Sequence, residues 1–213
     1  MIWLIPTLMA CAEPPEALPS RVQTLPFYDS AEFTPHWVAP EELPADFHRI
    51  PAFSLTDQHG ETVTQTEMDG QLTVVNFFFA SCTGICPRLS ESMKRVDETL
   101  PPEGVLLLSH SVTPQTDTPE VLAEFAKNKG LNSERWHLLT GEQQVIYSLG
   151  RSAYFVEEDL GEEKDLTEFL HTENIVLIDE ERHIRGIYNG LNTTSVDQLI
   201  ADANTLLVAS GGE

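Results

Sequence analysis

Cys82 and Cys86, in the run Cys82-Thr83-Gly84-Ile85-Cys86-Pro87, are the side chains of this sequence best suited to chemistry. A thiolate is both a nucleophile and a soft metal ligand. Two of them on one loop can close into a disulfide, bind a soft metal, or do both at different times. Three intervening residues rather than two set the pair apart from the Cys-x-x-Cys of thioredoxin-type reductases. The wider loop leaves room for a metal between the sulfurs, and Gly84 gives it freedom to bend. A buried, inert pair is the alternative. The placement between a strand and a helix, with Pro87 following, argues against it, because amide groups and a helix dipole there stabilise thiolate.

The elements that must hold the pair follow from the hydrophobic pattern. Residues 72–79 are a nearly continuous apolar, β-branched and aromatic run, which predicts a central strand buried on both faces and ending just before Cys82. Pro87 suits a first helical turn, and Leu89, Met93, Val96 and Leu100 recur at helical spacing. Upstream, Phe53–Thr56 and Thr62–Thr64 flank the turn 57–60 as a hairpin. Downstream come a strand at Val105–Leu108 and a helix capped by Thr118 and Pro119 that buries Val121, Leu122 and Phe125 and stops at Gly130. A strand at Trp136–Thr140 and a helix over Val145–Ser152 follow. Beyond the acidic loop 157–168, Ile175–Ile178 and His183–Tyr188 form a second hairpin, and Ser195 with Gln198 reads as a capping box for a last helix. This alternation is the signature of an α/β fold.

Asp and Glu outnumber Lys and Arg by 34 to 12, a formal charge of -22, so the field repels phosphate backbones and no nucleic-acid partner is expected. At 213 residues the chain has room for one domain and a tail. Residues 1–11 read as a signal segment, too short and apolar a run to span a bilayer, ending in Leu8-Met9-Ala10-Cys11. That end resembles a bacterial lipobox, in which Cys11 carries lipid, although Met9 is bulky and no Lys or Arg precedes the run; a free thiol is the alternative. Residues 12–46 hold seven prolines and read as a tether. Phe27, Tyr28, Phe33 and Trp37 are too apolar for a spacer, so its second half should lie against the domain, residues 47–213, whose packing is expected to begin near Ile50.

Read together, four stretches resemble the Sco/SenC family in order and spacing: residues 77–87 around the cysteines, residues 112–120 with Asp117, Trp136–Gly141, and Leu170-His171-Thr172 with Ile175–Asp179. The similarity runs from about Leu25 to the C-terminus. It implies a thioredoxin-like three-layer sandwich with a central mixed sheet, an N-terminal β-hairpin and helices on both faces. It also implies a copper site, Cu(I) or Cu(II), made by Cys82, Cys86 and His171. The implied task is to deliver copper to, or reduce the cysteines of, the binuclear copper centre of cytochrome c oxidase, at the extracytoplasmic face of a bacterial inner membrane. The partners are then the copper-receiving oxidase subunit, a local thiol reductant, and the membrane through a lipid on Cys11. One departure stands out: the family often has an acid where Thr113 stands, while its second acid matches Asp117, a residue placed to tune the site from outside.

Two thiolates and an imidazole suit copper and would also take zinc. The competing reading is a thiol-disulfide reductase in which the cysteines cycle and His171 is incidental. A peroxide-reducing enzyme is disfavoured by the lack of a peroxidatic Thr-x-x-Cys arrangement. His36, His48, His59, His110, His137 and His183 read as surface or packing residues, and Met93 as core.

Overall fold

The computed structural model describes residues 24–82, 84–156 and 172–210. Its first paired strands, β1 (Ser54–Thr56) and β2 (Thr62–Thr64), form the expected antiparallel hairpin, with Leu55 opposite Val63. The Asp57 carboxylate closes its turn by accepting from the amides of His59 and Glu61. Next come β3 (Leu72–Phe78), α1 (Cys86–Thr99), β4 (Val105–Ser111), α2 (Pro119–Lys129) and β5 (Trp136–Leu139). Then α3 (Gln143–Ser148) runs into a π turn at Leu149–Ala153, and β6 (Asn174–Ile178), β7 (Ile184–Asn189) and α4 (Thr193–Ser210) complete the fold.

One mixed sheet runs in the order β5-β4-β3-β6-β7, parallel across β5, β4 and β3 and antiparallel from β3 to β6 and β7. β3 is central, as its composition predicts. Leu72, Val74 and Phe78 join one core with α1, α2 and α4. Val75 and Phe77 join the other, with the hairpin, α3 and the π turn. This is the three-layer, thioredoxin-like arrangement that the resemblance implies. The β5 edge is closed by Gln58, whose carboxamide donates to the Trp136 carbonyl and accepts from the Leu138 amide, standing in for a further strand.

Four details differ from the sequence reading. β4 continues to Ser111, because the polar Ser109 is buried in a relay in which the Trp136 indole donates to Ser109 and Ser109 to Asn76. Val121 points outward, 39% exposed, so α2 buries Leu122 and Ala126. α4 begins two residues before Ser195: the Asn192 carboxamide accepts the Ser195 amide as cap, while the Ser195 hydroxyl accepts from Asn189. Packing starts well before Ile50. Leu25 and Phe27 are buried, Tyr28 bridges Ile184, and Arg185 lies 3.8 Å over the Phe27 ring while donating to the carbonyls of Leu25 and Pro26. Trp37, by contrast, is 56% exposed. No helix among the described residues is long and apolar enough to cross a membrane.

Candidate metal and redox centre

β3 delivers the chain to the cysteine loop at the end of the sheet where its parallel neighbour β4 also ends. Cys82 is half-buried there, its amide donating back to the Phe79 carbonyl at 3.3 Å. Cys86 is the first residue of α1 and is buried against the core of that face. Ile85 precedes the helix without a side-chain cap, and Pro87 occupies the first turn, where a missing N–H costs nothing. Gly84 has no left-handed φ, and a Cβ there would meet the Cys82 sulfur at an ordinary 3.9 Å, so the loop does not require glycine at that position. Gly190 is required: a Cβ there would overlap Leu89 in α1 and crowd Ile175 and the Glu173 carbonyl. That absence of a side chain lets α1 press against the β7–α4 turn, where Ser92 donates to the Gly190 carbonyl at 2.6 Å.

The two sulfurs differ in acidity. Burial pushes the Cys82 thiol up, but the Cys86 thiol and the amides of Cys86, Gly84 and Ile85 donate to its sulfur and together bring it below the ordinary cysteine range. Burial, reinforced by the hydrogen bond to Cys82 and its charge, pushes Cys86 up to about 12. The loop therefore pairs a more acidic, half-buried sulfur at Cys82 with a less acidic, buried one at Cys86, an asymmetry that suits attack by the first and resolution by the second. Both sulfurs, once deprotonated, could serve as two ligands to a soft cation.

Asp117 supports the loop from beside it. Its carboxylate, 1% exposed, accepts from the Ala80 amide at 3.0 Å, the Ser111 hydroxyl at 2.6 Å and the Thr113 hydroxyl at 3.0 Å. Ala80 lies two residues before Cys82, so this carboxylate ties the β4–α2 turn to the root of the cysteine loop. Thr113 itself donates to Asp117. Sequence reasoning placed Asp117 near the site but missed Ser111 and Ala80 as its partners; the buried hydroxyl at the end of β4 was the available signal.

Cys11 and His171 lie outside the described residues. Among the described residues no three His, Cys, Asp or Glu side chains converge as a metal would need. Of the six histidines read as surface or packing residues, His110 is fully buried in β4 and His183 nearly so, which makes both packing residues; His36, His48 and His137 bond to Asp29, the Ala153 carbonyl and Asp57.

A family model described as SCO1/SenC matches residues 42–207. The SCO1 protein homolog of Bacillus subtilis is 27% identical over 163 residues, 74% of this chain and 82% of that protein. Among solved structures, the chain is similar to BsSco, a member of the Sco family of cytochrome c oxidase assembly proteins in which a disulfide switch was identified. That likeness has 25% identity and a TM-score of 0.63, over 75% of this chain and 93% of BsSco. It is also similar to copper-bound ScoI of Arabidopsis thaliana, with 25% identity and a TM-score of 0.53 over 75% of this chain and 98% of that one.

Proposed function

This chain belongs to the SCO1/SenC family, and from that premise we propose that it is a copper carrier for cytochrome c oxidase assembly, holding the ion between Cys82, Cys86 and His171. One observation carries the reading. The antiparallel register pairs Asn76 of β3 with Ile175 of β6, so β6 begins, at Asn174, at the sheet end from which the cysteine loop departs. Asn174 stands three positions after His171 in the sequence. A chain spans at most about 3.4 Å per residue, so the link to the proposed third ligand can reach no further than roughly 10 Å from that end of the sheet. Val156 also meets that point, its carbonyl accepting from the Asn174 side chain at 3.4 Å.

The chemistry supports copper as cargo. Two thiolates and one imidazole are soft to borderline donors, and copper-bound ScoI shows that a relative of this fold binds the metal. Three protein ligands leave a position open to a partner's ligand, and the ion can then pass between proteins without release. In this reading Cys11 is the lipid attachment point, residues 1–11 the leader and 12–46 a tether. The domain, 47–213, then works at the extracytoplasmic face of the membrane beside the copper-receiving oxidase subunit. A thiol reductant must keep the pair open there, since an oxidising compartment otherwise closes it.

The split acidity of the two sulfurs favours a second reading, a reductase acting on the cysteines of that same copper centre or of another extracytoplasmic partner. A His171→Ala variant separates the two: a carrier loses copper affinity, read by competition with a Cu(I) chelator, whereas reduction of a small disulfide continues at the wild-type rate. Unchanged copper affinity in that variant would overturn the carrier reading.

A further inference from the structure

Five large apolar side chains stand exposed among the described residues, and two of them, Ile85 (41%) and Val121 (39%), are at the cysteine centre. Val121 lies on the wall of a groove of about 280 Å³ between the root of the cysteine loop and α2, lined by Ala80, Ser81, Thr116, Val121, Glu124 and Phe125. The floor is apolar, and Phe125 packs on Phe78 at 5.3 Å. Asp117 ties the start of α2 to the loop through Ala80, and Val121 and Glu124 of α2 line the groove beside Ala80 and Ser81, while Lys129 lies over the Phe125 ring at 6.0 Å.

We infer that this groove seats the segment of a partner protein that flanks its reacting cysteine. The inference rests on the dithiol reading above and deepens it. Its physical basis is reach: a disulfide holds its two Cα atoms about 5.5 Å apart, and Ser81 and Ala80 lie one and two residue lengths, about 4–7 Å, from Cys82, so the residues beside a sulfur bonded to Cys82 come within roughly 10–12 Å of them. The groove begins there. Its occupant has an apolar side chain next to the cysteine, covering Val121 and Phe125, and a basic one to meet Glu124. The charge of -22 on this chain favours a basic approach surface in the same sense.

The exchange that the groove serves balances without a further reactant. The Cys82 thiolate attacks one sulfur of the partner's disulfide, a Cys82–partner disulfide forms, and the partner's other sulfur leaves as thiolate. Cys86 loses its proton and attacks the Cys82 sulfur, expelling the partner's second thiolate, and the two partner thiolates take up the protons released by Cys82 and Cys86. The partner gains two electrons and the pair Cys82–Cys86 is oxidised.

The test uses the full chain carrying Cys86→Ser, which stops at the first step, and mass spectrometry to read adducts at Cys82 apart from Cys11. Three probes are thionitrobenzoate mixed disulfides: of free cysteine, of a peptide with Leu and Arg beside its cysteine, and of the same peptide with Asp at both places. The Leu/Arg peptide should react about tenfold faster than the Asp peptide, the worth of one buried valine-sized contact. Val121→Asp or Glu124→Lys should erase that preference while the free-cysteine probe reacts at an unchanged rate. Equal rates for the two peptides, or a preference that survives both substitutions, would overturn the groove. Failure of the free-cysteine probe to react at all would instead overturn the dithiol reading on which it rests.

Discussion

The two faces of the central sheet are built to different standards of polar pairing. On the face with α1, α2 and α4, interior polar groups answer one another: Trp136 donates to Ser109 and Ser109 to Asn76, while Tyr188 and Gln198 both donate to Asp202. On the face with the hairpin and α3, His110 is enclosed by Phe53, Phe77 and Tyr154 with neither ring nitrogen bonded, and the Tyr154 hydroxyl is unbonded too. Cys86 is packed into the first face. Among the described residues the dithiol thus stands on the face with fewer unmet polar groups, which suits a centre whose two sulfurs must keep their spacing. The opposite half carries a buried imidazole that is tolerated while neutral.

That contrast is broken most severely by acid. Burial pushes His110 down to about 3, whereas an unfolded chain takes up the proton near the ordinary value of 6.5. Between those values the unfolded state binds more protons than the folded one, so stability is complete above pH 6.5 and falls as pH drops toward 3. Chemical denaturation at pH 7 and pH 4.5 should show a loss of about 2.5 kcal/mol from this group, absent from the difference curve of His110→Leu. An equal acid loss in the variant would refute the assignment.

On the paired side the largest cost should come from Asp117→Ala, which leaves the Ala80 amide and the hydroxyls of Ser111 and Thr113 without their acceptor. We expect about 2 kcal/mol of lost stability, measured by urea titration. Two tyrosine truncations sharpen the comparison directly. Tyr188→Phe removes a made hydrogen bond to Asp202 and should cost about 1 kcal/mol, while Tyr154→Phe removes an unmet hydroxyl and should be neutral or stabilising. The same cost for both would erase the distinction between the faces. The smallest effect is local: Cys86→Ala deletes a donor to the Cys82 sulfur, so the pH midpoint for alkylation of Cys82 should move upward with the fold intact.

The backbone plan was legible because its strongest signals are local. The apolar run of β3, Thr118 with Pro119 opening α2, and Gly130 closing it in a left-handed conformation are each decided by residues within a few positions of one another. What stayed hidden depends on distant partners. Ser109 and His110 look like the end of a strand until Trp136 and Tyr154 are brought beside them from elsewhere in the chain. Arg185 holds Leu25 and Phe27 from about 160 positions away, which no tally of prolines in the preceding stretch could reveal. Val121 fits the apolar stripe of α2 by spacing, yet faces the groove, because the core beneath that turn is filled by Leu122 and Ala126. At the centre itself, the position of Cys82 and Cys86 between strand and helix was readable, whereas their opposite acidities follow from burial and hydrogen-bond donors that spacing alone does not encode.

X-ray absorption at the copper edge reads the number and kind of ligands around the ion most directly. The reduced full chain loaded with one equivalent of Cu(I) should give two sulfur scatterers and one imidazole, with the imidazole signal lost in His171→Ala and one sulfur lost in either Cys82→Ser or Cys86→Ser. Two sulfurs with no imidazole in the wild-type chain would contradict the three-ligand carrier and leave a dithiol reductase in its place.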